Sequence, residues 1–185
     1  MREFFNILQR NSLFLRPQKC TFKVEEIDFL GLQLTHHGIT IDLAKVLAIK
    51  DWPQNLWNLK ELHKILGVLG YQHPFILNFV AIARPLMTLL KKDTPFIWTE
   101  DCAASLETLI EVITSHPVLV APNQDRQFEL EVDASQFALG AILWQWDPAN
   151  TKKLQAVGYF SSILNPAEQN YKIYDQELLA IIHTL

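Results

Sequence analysis

The sequence predicts an α+β fold in which a β-hairpin region, a group of helices and a second β-rich part follow one another along the chain. The spacing of apolar residues changes from short strand-like runs before residue 53 to helical periodicity, and changes to a period of two after residue 118. The composition, 49% hydrophobic and 19% charged over 185 residues, is typical of a chain that folds. We therefore divide the sequence into regions 1–53, 54–117 and 118–185.

Charge and cysteine content exclude several classes of protein. The formal net charge is -4, from 16 basic and 20 acidic residues, so no global basic field favours nucleic acid. Cys20 and Cys102 have no close Cys or His partner, which indicates two reduced, buried thiols rather than a disulfide framework or a zinc site. No apolar run approaches the roughly 18 residues of a membrane span. We expect an intracellular protein without membrane contact.

The first region begins with an amphipathic pattern over residues 3–11. The apolar run 13–15 and the segments 21–24 and 27–34 are typical of strands, and His37-Gly38 supplies a turn before a further strand at 39–41. Asp42 can then cap a helix that ends near Asp51. Its predicted apolar side consists of Leu43, Val46, Leu47 and Ala48.

Helical periodicity dominates the second region. Asn58 and Glu61 have the spacing of a capping box at the start of a helix that extends to Gly70. A second helix is predicted from Pro74 to Leu90 with an interruption at Pro85, and Thr99 caps a third helix that ends by Pro117. The predicted core residues of the first and third helices are Leu59, Leu62, Ile65, Leu66, Leu69, Leu106, Leu109, Ile110 and Ile113.

The third region predicts a three-stranded antiparallel meander followed by a helix. Phe128, Leu130 and Val132 alternate with acidic residues, and 138–146 and 154–161 are the next strand candidates. Proline at 166 suits the first position of a helix. The apolar stripe predicted for that helix is Tyr171, Tyr174, Leu178, Ile181 and Leu185.

Short motifs along nearly the whole chain resemble gypsy-like long-terminal-repeat retrotransposon reverse transcriptases. Four motifs resemble the end of the polymerase palm: Lys19-Cys20-Thr21-Phe22, Phe29-Leu30-Gly31, Gly38-Ile39 and Trp52-Pro53. A second group of motifs resembles the thumb and connection: Lys60-Glu61-Leu62, Leu66-Gly67, Phe75-Ile76, Asn78-Phe79, Pro85-Leu86 and Phe96-Ile97-Trp98. A third group resembles the start of the tethered ribonuclease H: Asp133-Ala134-Ser135, Gly140-Ala141 and Glu177-Leu178-Leu179-Ala180.

The resemblance implies a domain for each region. Residues 1–53 would be the end of the palm, 54–117 the helical thumb and connection, and 118–185 the N-terminal half of an RNase H-like α/β domain. The polymerase Tyr-x-Asp-Asp turn of the family is not in the sequence and would lie upstream of Met1. We therefore expect no DNA polymerisation by this chain alone.

The resemblance also implies a primer grip at Phe29, Leu30 and Gly31, where glycine would let the backbone approach a phosphate. The plainer interpretation is an ordinary β-hairpin glycine. In the second region the family often has an aromatic residue and two arginines before Phe-Ile, whereas this chain has Gln72-His73-Pro74. Two phosphate contacts would thereby be lost.

Two acidic residues match the ribonuclease H pattern, in which four ligands hold two Mg²⁺ ions. Asp133 ends the alternating strand, and Glu177 lies beside the apolar stripe of the last helix. The plainer interpretation is that Asp133 opens a turn with Ser135 and that Glu177 is a solvated charge. The other two ligands would lie beyond Leu185, so we expect Mg²⁺ binding to be weak or absent and hydrolysis to fail.

As a whole, the sequence predicts a piece of a reverse transcriptase and ribonuclease H polyprotein. In the full-length context its partners would be an RNA-DNA hybrid or a DNA primer-template, together with the remainder of the Pol polyprotein. The resemblance implies a location in the cytoplasm, in virus-like particles or in the nucleus. Two alternatives stay open: a non-catalytic module that binds nucleic acid or protein, and a decayed retroelement remnant.

Overall fold

The computed structural model describes residues 2–53, 58–115, 117–150 and 152–184. Within these ranges the chain forms six α-helices and two three-stranded antiparallel sheets, each with its strands in sequence order. The predicted α+β class is therefore confirmed. None of the helices in the described ranges is long and apolar enough to cross a membrane.

The first helix, α1 (Arg2–Arg10), forms where the amphipathic pattern predicted it but buries none of its residues. Strands β1 (Glu26–Phe29), β2 (Leu32–Thr35) and β3 (Gly38–Ile41) then form the first sheet. The strands predicted at 13–15 and 21–24 are wrong, because both segments lack ladder partners and stay irregular.

The segment 27–34, predicted as one strand, contains a tight turn. Leu30 and Gly31 have φ values of 53° and 78°, and a two-residue hairpin turn with positive φ at both positions reverses the chain. Phe29 consequently pairs with Leu32. Glycine adopts this conformation without strain, but leucine rarely does. The sequence did not predict the turn, because its first position is occupied by Leu30.

A short segment after the helical region connects the two sheets. Ile39 N donates to Leu119 O at 2.7 Å, and Leu119 N donates to Ile39 O at 2.9 Å. Val120 N then donates to Ala156 O in the second sheet at 2.9 Å. Gly38 permits this approach: it has φ 147°, and a Cβ there would lie 2.4 Å from Leu119 O.

Helix α2 (Leu43–Lys50) is capped by Asp42, whose Oδ1 accepts from Ala44 N at 2.9 Å. The predicted apolar side is only partly correct. Val46 and Ile49 are buried, whereas Leu43, Leu47 and Ala48 are exposed, because a short helix packs a single i, i+3 stripe onto the core.

The main core lies among three helices: α3 (Leu59–Tyr71), α4 (Phe79–Thr88) and α5 (Glu100–Thr114). The predicted caps of α3 and α5 are confirmed, since Asn58 Oδ1 accepts from Glu61 N at 3.0 Å and Thr99 Oγ1 accepts from Cys102 N at 3.4 Å. The predicted core residues are also buried, except that Leu59 is exposed and Leu66 half-buried. Cys102 is buried, but Cys20 is only partly so, contrary to expectation.

The helix predicted from Pro74 begins later, at Phe79. A 3₁₀ turn occupies His73–Phe75, and Asn78 then adopts a left-handed conformation with φ 55°. A residue in that conformation cannot continue a right-handed helix, so α4 starts after it. The interruption predicted at Pro85 is wrong, because α4 continues through this proline as far as Thr88.

The second sheet is the predicted meander of β4 (Phe128–Ala134), β5 (Ala138–Trp146) and β6 (Leu154–Ile163). Its last helix, α6 (Ile173–Thr184), starts later than Pro166 predicted. The Asn165 side chain accepts from Ala167 N and Glu168 N and so closes a separate turn first.

The apolar stripe predicted for α6 is not its buried face. Gln176 and Ala180 are buried, with Leu179 packed beside them. Leu185, the last residue of the predicted stripe, lies outside the described residues. The other four stripe residues are exposed: Tyr171, Tyr174, Leu178 and Ile181. Within the part of α6 that the structure describes, the face that packs on the sheet contains only one aliphatic side chain larger than alanine, Leu179, so the aromatic periodicity indicated the wrong face.

The connection between the sheets gives a stability prediction. Gly38→Ala should lower the free energy of unfolding by about 1–3 kcal/mol, because the new methyl group meets Leu119 O and alanine is strained at this φ. Urea denaturation followed by circular dichroism measures the change. Gly70→Ala is the control: nothing lies within 4 Å of its Cβ position, and it should be neutral or stabilising. Equal stability of Gly38→Ala and the wild type would contradict the structural role of Gly38.

Candidate active site and nucleic-acid interface

Asp133 lies on the edge strand β4, directly opposite Gly140 of β5. Side chains alternate between the two faces of a sheet, so Asp133 points away from its neighbours Val132 and Ala134. Those two residues pack with Leu139 and Ala180, on the face that α6 covers. Asp133 is exposed and belongs to the opposite face.

Helix α4 packs over that opposite face. Val80 N donates to Ser161 Oγ at 3.3 Å, and Ser161 pairs with Gly140. A Cβ at Gly140 would lie 2.6 Å from Asn78 Oδ1, so the absence of a side chain makes room for the Asn78 amide. Asn78 therefore reaches the sheet in the row that contains Asp133. The sequence did not predict this arrangement, because no neighbouring residue indicates that Asn78 adopts a left-handed conformation.

Glu177 lies on the second turn of α6 and is exposed. It flanks the buried residues Gln176 and Ala180 on the helix surface. The predicted packing of this helix on β4 is present. The alternation along β4 places Asp133 on the face that α6 does not cover.

The described residues do not fit a metal centre by themselves. No group of three or more His, Cys, Asp and Glu side chains that could hold an ion occurs in the described part of the chain. A two-ion site needs several oxygen ligands around each Mg²⁺. The assignment of Asp133 and Glu177 as ligands stays a prediction, and no chemical step through a metal follows from this geometry.

The predicted primer-grip residues lie together at the tip of the β1–β2 hairpin. Phe29 is 57% exposed and Leu30 is 69% exposed, so neither supports a core. The Tyr71 hydroxyl of α3 donates to Leu30 O at 2.5 Å, and Asp42 N donates to Gly31 O at 3.2 Å. The tip is thus an exposed apolar surface held in place by α3.

A cation occupies the space left by the glycine at this tip. A Cβ at Gly31 would lie 1.7 Å from Lys45 Nζ, so a side chain here would displace the ammonium group from its present position. Lys45 Nζ also lies 5.1 Å from the centroid of the Tyr71 ring, within the range of a cation–π interaction. Lys45 and Tyr71 were missed from the sequence, because Lys45 meets Gly31 and Tyr71 meets Leu30 only in the folded chain.

A groove of about 530 Å³ extends from this cation between α2 and α3. Its lining combines basic and aromatic side chains with the bare backbone of Gly67, where a Cβ would meet nothing within 4 Å. The basic and aromatic lining residues are Lys45, Trp52, His63, Lys64 and Tyr71. Such a lining can contact a phosphate backbone and base or sugar edges at close range.

The departure at Gln72-His73-Pro74 has a structural counterpart at the end of α3. Gln72 is 1% exposed, and its Oε1 has no hydrogen-bond partner among the described residues. His73 Nδ1 lies 3.0 Å from Gly70 O. These side chains are directed into the fold, so this part of the chain offers no basic pair for phosphate.

Comparison with known proteins decides the family. Residues 98–185 match the family described as an RNase H-like domain found in reverse transcriptase. All 185 residues align at 32% identity with the Tf2-3 and Tf2-4 transposon polyproteins of Schizosaccharomyces pombe (strain 972 / ATCC 24843). The chain belongs to the reverse transcriptase and RNase H-like family of retrotransposon polyproteins. The resemblance found in the motifs is confirmed. This retrotransposon chain spans 14% of the length of those polyproteins.

Solved structures agree with the fold of the retrotransposon chain. The foamy viral protease-reverse transcriptase in complex with an RNA/DNA hybrid matches 98% of it with a TM-score of 0.77 and 20% identity, over 24% of the viral chain. The same viral protein in complex with dsDNA matches with a TM-score of 0.74, over 37% of that chain. At this identity the likeness concerns the fold alone.

Tyr159 gives a prediction about pH. This residue lies on β6, packs against the main core, and burial raises the pKa of its phenol above the usual 10.0. The unfolded chain therefore releases this proton first as pH rises. The contribution of the protonated Tyr159 phenol to the stability of the folded state is complete below pH 10. It is lost as the pH rises through the higher pKa of the folded state. Urea unfolding from pH 8 to 11 should show a steeper loss of stability in the wild type than in Tyr159→Phe. Parallel curves would contradict this.

Proposed function

We propose that this chain forms the primer-grip, thumb and connection part and the first half of the RNase H-like domain of a retrotransposon reverse transcriptase. Residues 1–53, 54–117 and 118–185 are the corresponding regions. In this role the chain holds a primer-template or an RNA-DNA hybrid and does not hydrolyse it alone. The observation that supports this most directly is the Lys45 ammonium in the Cβ space of Gly31.

The proposed interface consists of the hairpin tip and the groove between α2 and α3. Exposed Phe29 and Leu30 can pack against a sugar, while Lys45 can contact an adjacent phosphate. Lys64 adds a second cation on the groove, and Gly67 lets a strand approach the α3 backbone. The cations are local, so binding is compatible with a net charge of -4.

For the RNase H-like region we propose that Asp133 and Glu177 supply two of the Mg²⁺ ligands in the longer polyprotein. Carboxylate oxygens are suitable ligands for Mg²⁺, and both side chains are open to solvent. The remaining ligands that the family requires are not among these residues. The polyprotein activities, RNA-directed DNA polymerase and hydrolysis of RNA in hybrids, are therefore proposed for the larger protein only.

A second candidate is a non-catalytic interaction module. Several apolar faces favour it, since α1 buries no residue and α6 exposes Tyr174, Leu178 and Ile182. Such faces suit packing against other protein segments. Binding of an RNA-DNA hybrid distinguishes the two candidates. Binding that depends on the α2–α3 groove supports the first candidate, whereas a module that packs only against protein would not bind the hybrid there.

The interface predicts the behaviour of two lysine variants. Lys45→Gln and Lys64→Gln should each weaken binding of an RNA-DNA hybrid several-fold and lower the salt slope by about one, because each removes one phosphate contact. Fluorescence anisotropy across a salt series measures both quantities. Lys50→Gln is the matched control, since Lys50 is an exposed residue of α2 outside the groove. An equal loss in all three variants would contradict the assigned interface.

The incomplete acidic site predicts an inactive chain. The purified protein should cleave a labelled RNA-DNA hybrid in Mg²⁺ no faster than the buffer does, because it lacks ligands to place the second ion and orient water. Asp133→Asn and Glu177→Gln should behave identically to the wild type in this assay. Cleavage by the wild type that is lost in both variants would refute the claim of inactivity and support both residues as ligands.

A further inference from the structure

A cavity lies at the end of the hairpin sheet opposite the tip, where the turn between β2 and β3 meets the second sheet. Its volume is about 370 Å³, within the roughly 300–1,000 Å³ of small-molecule sites. The four residues of β2 separate it from the tip by about 13 Å, and it shares no lining residue with the α2–α3 groove. We call it the turn cavity; the lining residues with polar or aromatic side chains that concern us are His36, His37, Arg126, Trp146, Asp147 and Gln155.

Three side chains with nitrogen donors line this cavity and keep those donors available. The imidazoles of His36 and His37 lie with their ring centroids 3.7 Å apart, and Arg126 is exposed. Among the residues that the structure describes, none of these side-chain nitrogens has a hydrogen-bond or ion-pair partner. A guanidinium binds phosphate oxygens in a bidentate manner, and a neutral imidazole still donates one N–H. The three side chains therefore suit a phosphate group.

Hydrogen bonds fix the walls that carry these donors. Gln145 is 4% exposed; its Oε1 accepts from Asn123 N at 3.0 Å and its Nε2 donates to Asn123 O at 2.8 Å. Arg126 N donates to the same Asn123 O at 3.2 Å, so the segment before β4 is held against the end of β5. On the other wall, Thr35 Oγ1 accepts from His37 N at 3.1 Å. A ligand would thus meet a preformed site, which lowers the entropic cost of binding.

Trp146 adds an aromatic surface to the cavity. Its Nε1 donates to Glu129 Oε1 at 2.6 Å, which fixes the edge of the indole, and the residue remains 37% exposed. An indole held in this way can stack a planar base. Trp144 has the same kind of bond, from its Nε1 to Glu131 Oε2 at 2.9 Å, but does not line the cavity. The two tryptophans therefore form a matched pair for experiments.

Asp147 is the one acidic side chain among the described lining residues, and it indicates what else the ligand contains. Its Oδ1 accepts from Ala149 N at 2.8 Å and its Oδ2 from Gln155 Nε2 at 3.2 Å. Each carboxylate oxygen can accept a further hydrogen bond, and carboxylates bind ribose hydroxyls in other nucleotide sites. A bare anion would be repelled by Asp147, whereas a nucleotide brings hydroxyl donors together with its phosphate and base.

We propose that the turn cavity binds a nucleoside monophosphate, as a free nucleotide or as the terminal residue of a strand. Arg126 and the two histidines hold the phosphate, Trp146 stacks the base, and Asp147 accepts from the ribose hydroxyls. The site lies apart from the hairpin tip and from Asp133, so the inference goes beyond the function proposed above and does not depend on it.

The test titrates the full chain with adenosine monophosphate by isothermal calorimetry. Arg126→Gln should weaken binding about tenfold, because it removes a charge-assisted hydrogen bond. Lys153→Gln is the control and should bind like the wild type, since Lys153 is an exposed cation whose backbone O accepts from Asp147 N but which does not line the cavity. Absence of wild-type binding up to about 10 mM nucleotide, or an equal loss in the two variants, would overturn the proposal.

The tryptophan pair tests the stacking contact. Trp146→Leu should weaken binding of adenosine monophosphate about five- to tenfold, whereas Trp144→Leu should leave it unchanged. The indole N–H resonance of Trp146, assigned as the signal absent from Trp146→Leu, should shift during the titration of the wild type. Equal affinity of the two variants, or a resonance of Trp146 that does not move, would contradict the assigned base contact.

Other ligands separate the parts of the nucleotide and its source. Adenosine and inorganic phosphate should each bind far more weakly than adenosine monophosphate, and equal binding by either would overturn the assignment of a nucleotide. Displacement of the nucleotide by a 5′-phosphorylated oligonucleotide, but not by its unphosphorylated form, would assign the site to strand ends; no displacement by either would assign it to free nucleotides. Lys45→Gln and Lys64→Gln should bind the nucleotide normally, so failure of the hairpin-tip interface is distinguishable from failure of this site.

Discussion

The paired hydrogen bonds between Ile39 and Leu119 are the interaction on which the arrangement of the chain depends. They join the hairpin sheet to the segment that continues, through Val120 and Ala156, into the second sheet. Gly38 makes the contact possible because any Cβ there would collide with Leu119 O. Without this connection the hairpin tip and the RNase H-like sheet would be linked only through the helices. Close backbone approach thus fixes the relative position of two surfaces proposed to contact one nucleic acid.

Strand alternation decides what the second sheet can do. Val132 and Ala134 pack under α6, so Asp133 necessarily projects toward the face that α4 covers. A one-residue shift of register would exchange these faces and bury the carboxylate. Asp133 consequently lies on the opposite face of the sheet from the residues that pack against α6. The acidic site, if completed in a larger protein, would be influenced by residues of α4 as well as by the RNase H-like region.

The sequence was most informative where local chemistry determines structure. Caps at Asn58 and Thr99, the periodicity of α5 and the alternation in β4 depend on neighbouring residues, and all were predictable. The turn at Leu30 and the exposed stripe of α6 were not, because one contains leucine in a left-handed conformation and the other presents aromatic residues to solvent. Of the candidate sites, the motifs located Phe29, Leu30 and Gly31 but did not reveal Lys45 or Tyr71, which approach only in the folded chain.

The charge of this chain illustrates why totals are a poor guide to binding. A net charge of -4 argues against a general attraction to nucleic acid, and the excess of acid remains after folding. Folding nevertheless places Lys45 against Gly31 and Arg84 against Phe137, where aromatic rings hold the cations at defined positions. The excess of acidic side chains repels a phosphate backbone except where such cations contact it. Position-specific contacts would therefore orient a duplex, which a uniformly basic surface would not do.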